Sequence, residues 1–158
     1  MKRNSQEKLL EKVHARSAVI GVIGLGYVGL PLAIRFCQQG FRTIGFDIDE
    51  TKASKLTAGQ SYIAHISSAD VESMLGRGAA FTADFARVNE CDVVIICVPT
   101  PLNTYREPDL SFVIRTMEQV ARYLRPGQLI SLESTTYPGT TAEEIVPRCE
   151  AGGLVVGA

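Results

Sequence analysis

The chain of 158 residues lacks an excess of charge of either sign: 16 lysines and arginines oppose 17 aspartates and glutamates, for a formal charge of -1. That balance excludes the basic footprint of a nucleic-acid binder and the acidic tail of a solvating segment. No uninterrupted apolar run approaches the roughly 20 residues that span a bilayer, and Met1–Ser17 is too polar for a signal-peptide core. No membrane partner is therefore expected, and the expected location is the cytoplasm. The sequence also lacks paired cysteines. Cys37, Cys91, Cys97 and Cys149 lie far apart with no C-x-x-C spacing, the pattern of buried thiols in a reducing compartment rather than of a zinc or redox site. His14 and His65 are too isolated to suggest a metal.

Apolar residues are plentiful, at 46% of the chain, enough to give a single domain a real core. "SQEKLLEKVHARS" carries Leu9, Leu10 and Val13 on one helical side behind a Ser5 cap, which predicts an amphipathic helix within residues 1–16. From Ser17 onward, strand-length apolar runs alternate with helical periodicity. The runs are "AVIGVIG", "RTIGFDID", "AAFTAD", "CDVVIICV" and "QLISLES", the third and fourth reading as central strands buried on both faces. Helices are expected over 28–39, 50–57, 70–75 and 141–150, and in "PDLSFVIRTMEQVARYLRPG", where Val113, Met117, Val120 and Leu124 share a face between an Asp109 cap and a Pro126-Gly127 stop. The final "GGLVVGA" reads as the start of a further strand.

Strands alternating with helices over residues 17–158 predict an α/β fold, a Rossmann-like, doubly wound and mainly parallel sheet truncated at the start of its last strand. Such sheets bind ligands at the carboxyl ends of their strands, where the strand order reverses.

The chemistry is carried by "GVIGLGYVGLPLA". Gly24, Gly26 and Gly29 form G-x-G-x-x-G after a strand and before a helix, with Asp47 near the expected separation of roughly 20 residues. Gly24 suits the tight turn, Gly26 the approach of a pyrophosphate to the backbone, and Gly29 close helix–strand packing. The pyrophosphate then meets unpaired N–H groups and the positive end of a helix dipole. Pro31 falls in the first helical turn, where a missing N–H costs little. Asp47 would accept hydrogen bonds from ribose hydroxyls and repel the 2'-phosphate of NADP, so NAD is the expected cofactor. The fingerprint by itself also fits FAD, or a sugar-nucleotide epimerase that retains its NAD.

Two further strand ends carry hydroxyls. In "CVPTPL" two prolines turn the chain out of the sheet around Thr100. In "LESTTYPGTT" Thr135 follows a strand, while Thr140 with Glu143, and Thr141 with Glu144, have the spacing of capping boxes for the next helix.

Together "GVIGLGYVGLPLA", "GFDID", "CVPTPL", "REPDLSFV" and "LESTTYPGTT" resemble the N-terminal domain of UDP-sugar 6-dehydrogenases. "ESTTYPGTT" resembles in particular the branch acting on UDP-N-acetylglucosamine, and UDP-glucose dehydrogenases more often carry "KSTVP" at Glu133–Tyr137. The resemblance implies a two-step oxidation of a sugar C6 alcohol to a carboxylate, for polysaccharide precursors. An enzyme cysteine captures the aldehyde so that a second hydride can leave to NAD. By motif it implies that Gly24, Gly26, Tyr27, Val28 and Gly29 form the pyrophosphate loop, that Asp47 binds ribose and that Lys52 lies near the adenosine. Thr100 and Thr135 fall beside the nicotinamide half, Thr135 with a supporting catalytic part in holding a water or oxyanion.

The family's nucleophilic cysteine, dimerisation helix and UDP-sugar domain match nothing in these residues. The resemblance therefore implies a cofactor-binding portion, inactive alone, of a homo-oligomeric enzyme whose substrate is a UDP-sugar. UDP-glucose and UDP-N-acetylmannosamine remain alternative substrates, and a non-catalytic NAD-binding module remains an alternative class.

Overall fold

The computed structural model describes residues 4–102, 104, 106 and 108–157; of the segments singled out above, Met1–Arg3, Glu107 and Ala158 lie outside them. In chain order the elements are α1 (Ser5–His14), β1 (Val19–Ile23), α2 (Gly29–Gln38), β2 (Arg42–Phe46), α3 (Glu50–Thr57), α4 (Ser68–Gly76), β3 (Ala80–Thr82), β4 (Val93–Ile96), α5 (Ser111–Val120), β5 (Leu129–Leu132) and α6 (Val146–Ala151). The five strands form one sheet in the order β3-β2-β1-β4-β5, and every pairing is parallel. This is the Rossmann-like, doubly wound sheet that the alternation of strands and helices predicts.

Successive side chains of a strand point to opposite faces, and β1 and β4 divide accordingly between two cores. Ile20, Val22, Val93 and Ile95 join Leu30, Ala33 and Cys37 of α2 on one face. Ile23, Val94 and Ile96 join Val113, Met117 and Val120 of α5 on the other. Burying each such side chain contributes about 1.5–3 kcal/mol, so the two central strands are the most strongly fixed part of the sheet. β3 differs from its predicted place as a central strand. It lies at the sheet edge, pairing only with β2, and its outer residues are half-buried.

At the amino ends of the central strands, the carboxylate of Asp92 is buried and fully engaged. Its Oδ1 receives Lys12 Nζ at 2.7 Å and an Arg125 guanidinium nitrogen at 2.9 Å, and its Oδ2 receives the Val19 N–H at 3.0 Å. Burial alone would raise its pKa, yet these donors outweigh it and hold the carboxyl below the usual range. Lys12 thereby fastens α1 to the sheet.

Five local expectations are corrected. Asn4 rather than Ser5 caps α1, accepting the Glu7 N–H at 2.8 Å from an extended backbone while Ser5 is already helical; asparagine caps as well as serine does. Leu9 and Val13 pack on the core, whereas Leu10 turns outward, 49% exposed.

Neither predicted capping box at the last helix forms. Thr140 is itself in helical conformation and its hydroxyl donates to the Tyr137 carbonyl at 2.7 Å, while Glu143 accepts from Tyr137 Oη at 3.0 Å and Glu144 pairs with Arg148 at 2.7 Å. Pro147 has no N–H to give to the carbonyl one turn back, and the preceding turn, Thr141–Ile145, widens to π-helical spacing.

The run from Gly152 onward forms no strand among the described residues. Gly153 at φ 85° turns the chain after α6, and Val155 and Val156 are exposed.

Candidate functional site

β1 is the strand at which the order reverses, with β2 on one side and β4 on the other. A cleft of about 590 Å³ opens at the carboxyl ends of these strands, lined by the glycine turn, Asp47 to Asp49, the segment after β4, the segment after β5 and one face of α5. A cleft at the point of reversal is where an open α/β sheet receives its ligand.

The glycines of the turn differ in what surrounds them. Gly24 has φ +91°, and a Cβ there would lie 2.7 Å from the Cys97 carbonyl oxygen; a Cβ on Gly29 would lie 1.8 Å from the Gly24 oxygen. Both approaches are to backbone, which cannot move aside. Gly26 is the reverse case, with nothing within 4 Å of its would-be Cβ, although it lines the cleft. The fold therefore requires glycine at 24 and 29, while the space beside 26 is left for a ligand.

Among the described residues, no hydrogen bond takes the N–H of Gly26, Tyr27 or Val28. α2 begins there without a side-chain cap and without an acidic residue in its first turn. Unpaired N–H groups at the positive end of a helix dipole suit an anionic ligand group. Tyr27 and Val28 are largely exposed at 74% and 61%, so they can contribute backbone to the site without being held by the core.

Asp47 follows the last residue of β2 and is 6% exposed. Its Oδ2 accepts the Leu25 N–H at 3.0 Å and lies 3.5 Å from Lys52 Nζ; its Oδ1 accepts the Asp49 N–H at 3.0 Å. A carboxylate has about four acceptor positions, and with three of them taken about one is left for a ligand hydroxyl at the cleft that Asp47 lines. Lys52, half-exposed on the first turns of α3, lines the cleft, and Asp49 caps that helix by accepting the Thr51 N–H at 2.9 Å.

Thr100 and Thr135 come from strand ends after β4 and β5, and both line the same cleft. Ser134, which precedes Thr135 and also lines the cleft, spends its hydroxyl on the Val98 carbonyl at 2.7 Å, whereas neither threonine hydroxyl is hydrogen-bonded among the described residues. Every site residue singled out from the sequence thus lies at one cleft: Gly24, Gly26, Tyr27, Val28, Asp47, Lys52, Thr100 and Thr135 line it, and Gly29 packs directly beneath. The residues present fit NAD: an open turn with free donors, an acid beside it, and hydroxyls at the far end.

Sequence reasoning missed one wall. Phe112, Arg115, Thr116 and Gln119 of α5 also line the cleft. Their i, i+3, i+4, i+7 spacing is a helical face, and it was obscured by the stronger apolar face of Val113, Met117 and Val120.

Cys97 lines the cleft as well, but burial, with the charge of Glu133, pushes its thiol up to about 11. Cys37, Cys91 and Cys149 are buried, and burial raises each of their pKa values. Among the described residues there is no group of acidic, histidine and cysteine side chains that could hold a metal, and no helix is long and apolar enough to cross a membrane.

A parallel sheet in this order, with a glycine turn and an acid at its point of reversal, defines a dinucleotide-binding domain. Residues 18–153 match the NAD binding domain of the UDP-glucose/GDP-mannose dehydrogenase family. The chain belongs to that family, and its cofactor is NAD. It is 41% identical over 128 residues to a UDP-N-acetyl-D-glucosamine 6-dehydrogenase of Salmonella typhi, covering 81% of this chain and 29% of that protein. It is 39% identical over 129 residues to a UDP-N-acetyl-D-mannosamine dehydrogenase of Pyrococcus horikoshii, covering 77% and 29%. Among solved structures, an NDP-N-acetyl-D-galactosaminuronic acid dehydrogenase from Methanosarcina mazei Go1 superposes with a TM-score of 0.83 at 31% identity, over 99% of this chain and 35% of its own. The chain thus spans about three tenths of the length of these curated relatives.

Proposed function

We propose that this chain is the NAD-binding portion of a UDP-N-acetyl-D-glucosamine 6-dehydrogenase, which oxidises the sugar C6 alcohol to a carboxylate for polysaccharide precursors. The observation that carries the reading is the single cleft that joins an uncapped glycine turn, a buried acid and two unspent threonine hydroxyls. The choice of sugar is supported by the relatives of that name at 41% and 36% identity. The 39% likeness to the Pyrococcus enzyme makes UDP-N-acetyl-D-mannosamine the competing substrate.

In this reading the N–H groups of Gly26, Tyr27 and Val28 bind the pyrophosphate, with Gly24 and Gly29 holding the turn closed beneath them. Asp47 binds the adenosine ribose, and Lys52 sits beside it as counter-charge. Thr100 and Thr135 bind and orient the nicotinamide end, where Thr135 also holds a water or oxyanion. NAD when bound supplies the hydride acceptor. The four thiols here are raised in pKa rather than activated, so the aldehyde-capturing cysteine belongs to the rest of the enzyme, as do the UDP-sugar domain and the helix that joins protomers of a homo-oligomer. Residues 17–158 then form the NAD-binding domain, with α1 as an N-terminal addition. Four free cysteines suit a reducing compartment such as the cytoplasm.

Calorimetry on this chain should show binding of NAD and much weaker binding of NADP, with no NADH formed from UDP-N-acetylglucosamine. Failure to bind NAD would overturn the site, and turnover by this chain alone would overturn the assignment of a cofactor-only portion. In the full-length enzyme, faster oxidation of UDP-N-acetylmannosamine or UDP-glucose would overturn the substrate.

A further inference from the structure

Leu25 opens the glycine turn, and its backbone is gripped from outside the turn on both sides. Its N–H donates to Asp47 Oδ2 at 3.0 Å, and its carbonyl accepts Tyr62 Oη at 2.6 Å. Tyr62 stands in the loop of residues 58–67, between α3 and α4, and this loop is itself well anchored. Ile63 and Ile66 are buried in the core, the Ser61 N–H donates to Ser68 Oγ at 3.2 Å, and Ser67 with Asp70 forms a capping box at the start of α4. Lys52 Nζ lies 6.0 Å from the Tyr62 ring centroid and 3.5 Å from Asp47 Oδ2, closing a ring of contacts around the turn. At the loop tip, His65 stacks on Tyr27 with centroids 5.7 Å apart.

The carbonyl of Leu25 and the N–H of Gly26 belong to one peptide group. That group is planar and trans, so its C=O and N–H point in opposite directions. Holding the oxygen toward Tyr62 therefore aims the Gly26 N–H the other way. A peptide beside glycine is otherwise free to rotate, because no Cβ restricts it. Burial and the charges of Asp47 and Asp49 push the Tyr62 hydroxyl above its ordinary range, so it stays a proton donor.

We propose that Tyr62 is a positioning residue for the cofactor pyrophosphate: through the Leu25 carbonyl it fixes the peptide whose N–H, at Gly26, receives the phosphate oxygens. The inference rests on the glycine turn being the pyrophosphate site. It assigns a task to a loop residue that does not line the cleft.

The test is titration of wild type and Tyr62→Phe with NAD, ADP-ribose and adenosine by calorimetry, and with ADP-ribose by amide NMR. The variant should bind NAD and ADP-ribose each about fivefold more weakly, the loss of one hydrogen bond, and adenosine unchanged. Its Gly26 amide signal should shift and broaden. Substituting p-aminophenylalanine for Tyr62, which restores a donor, should recover wild-type affinity. Equal weakening toward adenosine, or no recovery with the donor restored, would mean a general structural role and overturn the inference. Wild type that prefers NAD to adenosine beside an unaffected variant would overturn this inference alone. Wild type with no such preference would overturn the pyrophosphate site and the inference with it.

Discussion

The Leu25 N–H donates to Asp47 Oδ2 at 3.0 Å, which ties the turn after β1 to the tip of β2. The acid read from the sequence as a ligand group is thus also a brace. Substitution at 47 should expose both parts. Asp47→Ala removes brace and charge and should weaken NAD binding by about tenfold or more, the range for hydrogen bonds to charged groups. Asp47→Asn keeps an acceptor for Leu25 and should lose less affinity for NAD, while its preference over NADP narrows. Calorimetry with both nucleotides checks this, and an unchanged preference in both variants would remove Asp47 from cofactor selection.

Gly26 and Gly29 should separate binding from folding. A Cβ at Gly29 would collide with the Gly24 oxygen, so Gly29→Ala should cost at least about 3 kcal/mol of stability, the upper range for overpacking. Gly26→Ala meets open space and should change stability by no more than about 0.5 kcal/mol. The same variant should lose most NAD affinity, because its methyl occupies the ligand's approach. Thermal melting paired with calorimetry gives both readings, and a Gly26→Ala protein that binds NAD normally would refute the turn's proposed use.

Acid should loosen the end of the sheet opposite the cleft. Burial works against the Asp92 carboxylate, but its three donors keep its folded pKa below the unfolded value, which is about 3.9. The stability it contributes is therefore complete above that unfolded value and is lost as pH falls through the lower folded one. Asp92→Asn should be less stable than wild type at pH 7. The gap between their urea midpoints should shrink on acidification from about pH 5 to below pH 3. A gap independent of pH would show that the charge of Asp92 does not matter.

Thiol reactivity should be low throughout. With its pKa at about 11, Cys97 should alkylate slowly with iodoacetamide at pH 8 and faster only as pH approaches that value. NAD should slow the reaction further, since Cys97 lines the cleft. Rapid labelling at pH 7 would identify an activated thiol and reopen the chemistry available to this chain.

Most of the candidate cofactor site was legible because its parts are short-range: three glycines at fixed spacing, an acid at the next strand end, and hydroxyls where apolar runs stop. The sheet was legible for the same reason, from β-branched runs such as "VVII" separated by helical periods. Tyr62 was not. Its place depends on Ile63 and Ile66 sinking into a core assembled from distant segments, and no local pattern in "GQSYIAHISS" encodes that. Asp92 was hidden likewise, because its partners Lys12 and Arg125 lie far along the chain on either side. The start of α4 was open to reading, since Ser67 and Asp70 have capping-box spacing. At Thr140 the same spacing misled, because Pro147 reshapes the turn that follows.

The two engaged acids occupy opposite rims of the sheet: Asp47 follows the end of β2, and Asp92 precedes the start of β4. α1 lies along the second rim, with Lys12 on Asp92 and Ser5 beside Gly127. The first turn of α1 therefore stands at the rim away from the candidate cofactor cleft. A version of this domain immobilised through the exposed side of α1 should leave the candidate cleft at the opposite rim open to nucleotide from solution.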